Sequence, residues 1–274
     1  MANLVASPPH RWRVLDEGAG PCILLLHGAG ASAESWAGVM PLLASDFRVL
    51  AIDLPGQGET RLATRMRSGL NMMAEDISTL MTTLDAHPSY LVGHSAGAAI
   101  ALRMAETTFQ NTPVIGFNAA LAEFPGLAAV LFPALANLLA LSPGAGDLIA
   151  LAASKRSSTE RLLKTTGGPI TEEMVTRYHR LITKPAHVKA TLAMMAQWRI
   201  QPIRRALPNI TARTRLVVGM EDTTVPPQTS RDAAKMLPNA DMLERSDLGH
   251  LAHEQDPVWA AKVIQTFAGN QAAD

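Results

Sequence analysis

The 274-residue chain has a single cysteine, Cys22, so no internal disulfide can staple it. It also lacks net charge. Its 24 Lys plus Arg are balanced by 24 Asp plus Glu, which leaves no overall field to draw in a phosphate backbone, and no nucleic-acid partner is expected. The first twenty residues, MANLVASPPHRWRVLDEGAG, have no basic run followed by a long apolar core and a small-residue cleavage site. A secretory signal is therefore not expected, and the reading is a cytoplasmic chain that starts near Met1. The longest charge-free window, residues 124–146, has the length of a membrane span but is broken by Pro125, Pro133, Pro143, three glycines and Asn137. Prolines remove backbone hydrogen bonds that lipid cannot replace, so the window reads as buried or interfacial helices. At 47% hydrophobic residues the chain is far from disordered composition. A chain this long buries roughly 75% of its unfolded surface, enough for one large domain with an insertion.

Short apolar runs rich in β-branched residues alternate with longer helical patterns, the arrangement of a parallel sheet covered by helices. Strands are expected at residues 22–28, 47–54, 90–95, 114–119, 215–222 and 240–246. Helices are expected at 71–86, where Met72, Ile77, Leu80, Met81 and Leu84 fall near helical spacing, and at 96–108. The fold class is α/β, with a mostly parallel central sheet flanked by helices. The rhythm stops after Asn118 and resumes near Arg215. Residues 1–120 and 206–274 are read as the core domain, and 121–205 as an inserted helical cap.

The cap is uneven. Its first part is apolar almost all round, whereas residues 154–205 carry eleven Lys or Arg and only Glu160, Glu172 and Glu173. The zero charge is a cancellation of minus five over residues 1–153, plus eight over 154–205 and minus three over 206–274.

Gly93, His94, Ser95, Ala96 and Gly97 form G-x-S-x-G between an expected strand and an expected helix. A sharp strand-to-helix turn leaves no room for side chains at the two glycines and lifts the serine hydroxyl to the positive end of the helix. The competing reading is a turn without chemistry. A neutral serine needs a base, and the chain order for this arrangement is serine, acid, histidine. His250, in DLGHLAHE after the last strand, fits that order; His253 is its rival, and His27, His94 and His187 are assigned to local or cap roles. The acid is assigned to Asp222, with Glu221 and Asp247 as rivals. Backbone donors for an oxyanion are assigned to Ala29, in His27-Gly28-Ala29-Gly30, and to Ala96. Asp53 receives a structural role. The chemistry needs no metal and no organic cofactor.

HGAG, DLPGQG, GHSAG, GMEDTTVPP and GHLAHEQDP, in that order, resemble the α/β-hydrolase family across roughly residues 21–120 and 205–268. VGHSAGAAIALRMA, FPGLAAVLFPALANLLAL and PAHVKATLAMMAQW further resemble the magnesium-chelatase accessory proteins of bacteriochlorophyll biosynthesis, a hydrolase-like branch. The departures are Gln57, where many relatives have histidine, and an N-terminus short for the usual opening strands. Acyl transfer through Ser95, His250 and Asp222 on an apolar ester is the expectation from the residues. The resemblance implies a tetrapyrrole-like ligand and magnesium chelatase as a partner, either for an esterase or for a non-catalytic porphyrin-binding accessory protein. A generic esterase of small esters is the third reading. Phe124, Phe132 and Trp198 are expected to line an apolar pocket and Arg199 to meet a carboxylate there, unless the leucines form the cap's own core and the cations a solvated face. A peripheral contact of the cap with an anionic membrane is a further expectation.

Overall fold

Strand β3, Cys22–Leu26, has every residue buried because helices cover both faces of the sheet, and its alternation divides the core in two. Cys22, Leu24 and Leu26 join one apolar cluster, while Ile23 and Leu25 join the other. The computed structural model describes residues 2–122, 142 and 144–269. Its eight strands are β1 Ala2–Ser7, β2 His10–Glu17, β3, β4 Arg48–Ile52, β5 Pro88–His94, β6 Val114–Phe117, β7 Thr214–Gly219 and β8 Ala240–Arg245. They lie in the order β1-β2-β4-β3-β5-β6-β7-β8. Only β2 runs against the rest, pairing antiparallel with both β1 and β4. The other strands are parallel, so their C-terminal ends share one edge, where open sheets of this class place ligands.

The six expected strands are present within a few residues of their expected bounds. The opening pair corrects the expectation of a short N-terminus. In β2 the residues alternate, with His10, Trp12 and Val14 facing inward between polar neighbours. The indole of Trp12 is fully buried and donates to the Ser7 carbonyl at 3.0 Å. A half-polar strand of this kind has no continuous apolar run to announce it.

Single-turn helix α1 (Met40–Leu43) and helices α2 (Leu70–Thr83) and α3 (Ala96–Glu106) pack on the sheet. Among the described residues, five helices separate β6 from β7: α4 (Ala145–Ala152), α5 (Arg156–Lys164), α6 (Glu172–Ile182), α7 (Pro185–Gln197) and α8 (Gln201–Ala206). Helix α6 shows why they form. The Thr171 hydroxyl caps its N-terminus by accepting from Met174 N at 3.2 Å, two glutamates occupy the first turn, and Met174, Val175, Tyr178 and Leu181 form one buried stripe. Leu163, Met174, Val175 and Tyr178 meet Ala31 and Leu251 of the core in a third apolar cluster. The insertion is thereby seated on two loops at the C-terminal edge of the sheet. Helices α9 (Pro227–Met236), α10 (Ala252–Gln255) and α11 (Pro257–Gly269) complete the chain.

Part of the insertion's positive charge is spent on acids. Arg180 pairs with Glu34, Arg177 with Glu173 and Glu254, Lys189 with Asp147 and Arg156 with Glu172. Among the described residues no helix is long and apolar enough to cross a membrane; most of the charge-free window at 124–146 lies outside them.

Candidate active site

Ser95 stands between β5 and α3 with φ +52° and ψ −114°, in the left-handed region that a serine rarely adopts. Its N–H donates to the Phe117 carbonyl at 2.9 Å and its carbonyl accepts from Ala120 at 3.1 Å, so backbone bonds hold the strain in place. A Cβ on Gly93 would lie 2.4 Å from Ala98 N, and one on Gly97 would lie 2.3 Å from Leu26 O. The two glycines are therefore the condition for the turn, and the turn aims the hydroxyl at the space above the sheet.

Asp222 lies beyond the end of β7, buried, with both oxygens fully engaged. Oδ1 accepts from Thr224 N at 2.7 Å and Val225 N at 2.8 Å; Oδ2 accepts from Asn118 Nδ2 at 2.8 Å and from His250 Nδ1 at 2.7 Å. Four donors fix the carboxylate, and the carboxylate fixes the imidazole. With the proton on Nδ1, Nε2 is the basic nitrogen. Ser95 and His250 both face a cavity of about 610 Å³ whose far wall is made by α5, α6 and α7. Among the described residues no hydrogen bond joins the Ser95 hydroxyl to the imidazole. That link commonly tightens only when reactant is bound.

The rival residues sit differently. The His253 ring is fully buried, 4.2 Å from Trp36 and 4.5 Å from His94 between ring centroids, and burial holds its pKa well below the ordinary value. It does not border the cavity. Glu221 is exposed, and Asp247 is exposed and held by Arg245 at 2.6 Å. His94 donates from Nε2 to the His250 carbonyl at 2.8 Å, supporting the histidine loop from below.

These features have a known setting. The sequence profile of the alpha/beta hydrolase family matches residues 23–263. The chain belongs to the alpha/beta hydrolase family. Its sequence is 43% identical over 251 residues to the magnesium-chelatase 30 kDa subunit of Rhodobacter capsulatus, covering 90% of this chain and 87% of the relative. Among solved structures it is similar to an esterase from Exiguobacterium antarcticum (TM-score 0.79, 16% identity, 97% and 99% of the two chains). It is also similar to a thermophilic esterase from Thermogutta terrifontis (TM-score 0.75, 20% identity, 98% and 97%). At these identities the structural likeness speaks for the fold alone.

Within this alpha/beta hydrolase, Ala29 and Ala96 both border the cavity with Ser95. The Gly28 position packs on His94 and Ser95, since a Cβ there would lie 2.7 Å from His94 Nδ1 and 3.1 Å from Ser95 Cβ. Asp53 accepts from Ala33 N and Glu59 N, both at 2.7 Å, which is the structural role assigned to it. Trp198 borders the cavity. Arg199 does not, which corrects its expected role. Its guanidinium is exposed and donates to the Ala196 and Trp198 carbonyls at 3.2 and 3.0 Å, meeting orphan acceptors where α7 ends. Phe124 and Phe132 lie outside the described residues.

Three features were missed by sequence reasoning. His187, read as a surface or cap residue, is buried in α7 and bridges two site loops. Its Nδ1 accepts from Gly58 N at 3.0 Å and its Nε2 donates to Gly30 O at 3.1 Å. Burial lowers its pKa to about 4, so the ring is neutral. Gln57, the departure from the family pattern, accepts from Gly30 N at 2.7 Å and points its amide at Met194 Sδ at 3.1 Å. The loop bearing Ala29 is thus tied to the insertion twice.

The third feature is the segment 165–168, which lies on the loops that carry Asp222 and His250. Thr166 O accepts from His250 N at 2.8 Å, Thr165 O from Thr223 Oγ1 at 2.7 Å, and Gly167 O from Gln255 Nε2 at 2.8 Å. The signal available was the glycine pair at 167–168. Both adopt positive φ, and a Cβ on Gly167 would lie 1.8 Å from Glu221 O.

Proposed function

We propose that this alpha/beta hydrolase is a serine hydrolase that cleaves an apolar ester through Ser95, His250 and Asp222. The observation that carries the reading is the Asp222–His250 pair at 2.7 Å, opening on the same cavity as the strained serine. His250 Nε2 takes the proton of Ser95 Oγ as that oxygen attacks the ester carbonyl carbon. The oxyanion forms beside the N–H groups of Ala29 and Ala96, and Asp222 stabilises the imidazolium. The imidazolium then gives its proton to the departing alcohol oxygen. Water, deprotonated by the same nitrogen, attacks the acyl carbon and releases the acid and the free serine.

A fluorophosphonate probe tests this directly. The wild-type protein is expected to be labelled, and Ser95→Ala is expected to be silent. A folded wild-type protein that is not labelled overturns the reading.

The 43% identity to a magnesium-chelatase subunit favours a second reading, in which the same cavity holds a tetrapyrrole on behalf of that complex. Trp198 in the cavity wall is its reporter. Titration with a metal-free porphyrin is expected to quench Trp fluorescence at micromolar concentration, and Trp198→Phe to remove most of that change. No porphyrin-dependent change in the wild-type protein would sink it.

A further inference from the structure

We infer that the cavity selects its substrate by charge, taking esters whose buried part is neutral and rejecting esters that carry a second, free carboxylate into it. The inference rests on the hydrolase reading and deepens it by naming the substrate class.

The described residues that border the cavity include no Lys, Arg, Asp or Glu. Residues 123–141 and Pro143, which lie outside the described set, contain no Lys or Arg either. Among the described residues no cation therefore borders the space an anion would enter, although the insertion is rich in basic residues. Several of those cations are directed elsewhere: Arg156 to Glu172, Arg177 to Glu254, Arg180 to Glu34, Lys189 to Asp147 and Arg199 to backbone carbonyls.

The histidines do not replace them. The one that becomes cationic in the reaction, His250, is already paired with Asp222. His94 and His187 are kept neutral by burial.

Neutral donors are also scarce away from the serine. Thr165, Thr166 and Thr191 donate to backbone carbonyls, and Tyr178 donates to Glu254. Thr224 and Thr229 are the hydroxyls left. The rest of that wall is aliphatic or aromatic, with Leu162, Leu163, Val188, Leu192, Met195 and Trp198. A carboxylate entering this space would give up its hydration and meet carbon, whereas the methyl ester of the same group has little hydration to lose. The backbone donors beside Ser95 do not relieve this, because the reacting carbonyl occupies them.

The test uses two esters of one length: p-nitrophenyl methyl adipate, neutral at both ends, and p-nitrophenyl hydrogen adipate, with a free carboxylate at neutral pH. At pH 7.5, kcat/KM for the free acid is expected to be lower by at least about 100-fold, equivalent to about 2.8 kcal/mol. Equal values overturn the inference. Thr191→Lys, which adds a cation to the wall, is expected to narrow the gap at least tenfold; Met195→Lys serves the same purpose should the first variant not fold. A gap unchanged in a folded lysine variant shows that the missing cation is not its cause and overturns the inference.

If folded wild-type protein cleaves neither ester and resists fluorophosphonate, the hydrolase reading fails. Charge selection is then read by displacement of N-phenyl-1-naphthylamine from the cavity. Displacement by dimethyl adipate and not by adipate supports it. Equal displacement by both, or by neither, overturns it.

Discussion

The backbone N–H of His250 donates to the carbonyl of Thr166 at 2.8 Å, so the loop bearing the imidazole hangs from the insertion as well as from the core. Gly167 follows at φ +76°, with no room for a side chain against Glu221 O. Gly167→Ala is expected to cost on the order of 2–3 kcal/mol of stability. It is also expected to slow fluorophosphonate labelling of Ser95 at least tenfold under conditions where the variant is fully folded. Urea unfolding and labelling kinetics check the two effects separately, and normal labelling in the folded variant would show that the contact does not position the histidine.

Asp222→Asn keeps the shape of the carboxylate but presents an amide that cannot be relied on to accept the Nδ1 proton. The favoured tautomer then places the proton on Nε2, where the base is needed. A fall in kcat of about 10⁴-fold on a neutral ester is expected. Steady-state kinetics alongside circular dichroism separate lost tautomer from lost fold.

The left-handed backbone of Ser95 carries a conformational cost that a glycine there would not. Ser95→Gly relieves it, so that variant is expected to be about 1 kcal/mol more stable than wild type while losing all labelling. Ser95→Ala loses labelling without the gain, since alanine has the same Cβ. Denaturant midpoints of the three proteins give the comparison.

His187 couples the insertion to the loop that carries Ala29. Removing its ring in His187→Ala leaves Gly58 N–H and Gly30 O without their partner, at a cost of about 1–3 kcal/mol. With the Ala29 loop less firmly held, kcat is expected to fall about tenfold with KM changing less. An equal rise in KM with kcat unchanged would place His187 in binding alone.

The pH dependence of stability follows from buried groups. Burial lowers His27 and His187 to about 4 and holds His94 and His253 well below the ordinary 6.5. Each therefore contributes stability that is fully present above pH 6.5 and is lost as pH falls through the folded value, because the unfolded chain takes up the proton first. Glu254 works in the opposite sense. Burial raises it to about 7 against the pull of Arg177, so its contribution is present below 4.5 and lost as pH rises through 7. The lowered histidines, His10 among them, outnumber the raised carboxyls of Glu254 and Asp53, and the urea midpoint is expected to drop between pH 6.5 and 4. Glu254→Gln removes one of the opposing groups and is expected to make the drop steeper; a midpoint that rises on acidification would contradict the assignment.

Where residues carried their signal locally, the fold was legible. The runs that became β3 to β7 are apolar or β-branched enough to stand out, and G-x-S-x-G could be placed because a strand and a helix flank it. β2 escaped notice because only every second residue is apolar. Arg199 was misjudged for a different reason: charge counting shows that the insertion is basic, but only geometry shows which carbonyls and carboxylates its cations meet. His187 and the segment 165–168 lie beyond sequence reasoning of this kind, since their partners are 58 to 157 residues away and several of the bonds involve backbone atoms.

Asn118, at φ +46° just past β6, gives its side-chain amide to the same Asp222 oxygen that receives His250. Two neighbouring strand ends thus converge on one carboxylate oxygen, with the amide from the end of β6 steadying the acceptor that the end of β7 offers to the imidazole. The orientation of the imidazole therefore depends on the end of β6 as well as on the end of β7, although the hydrogen bond it makes is to β7's carboxylate alone.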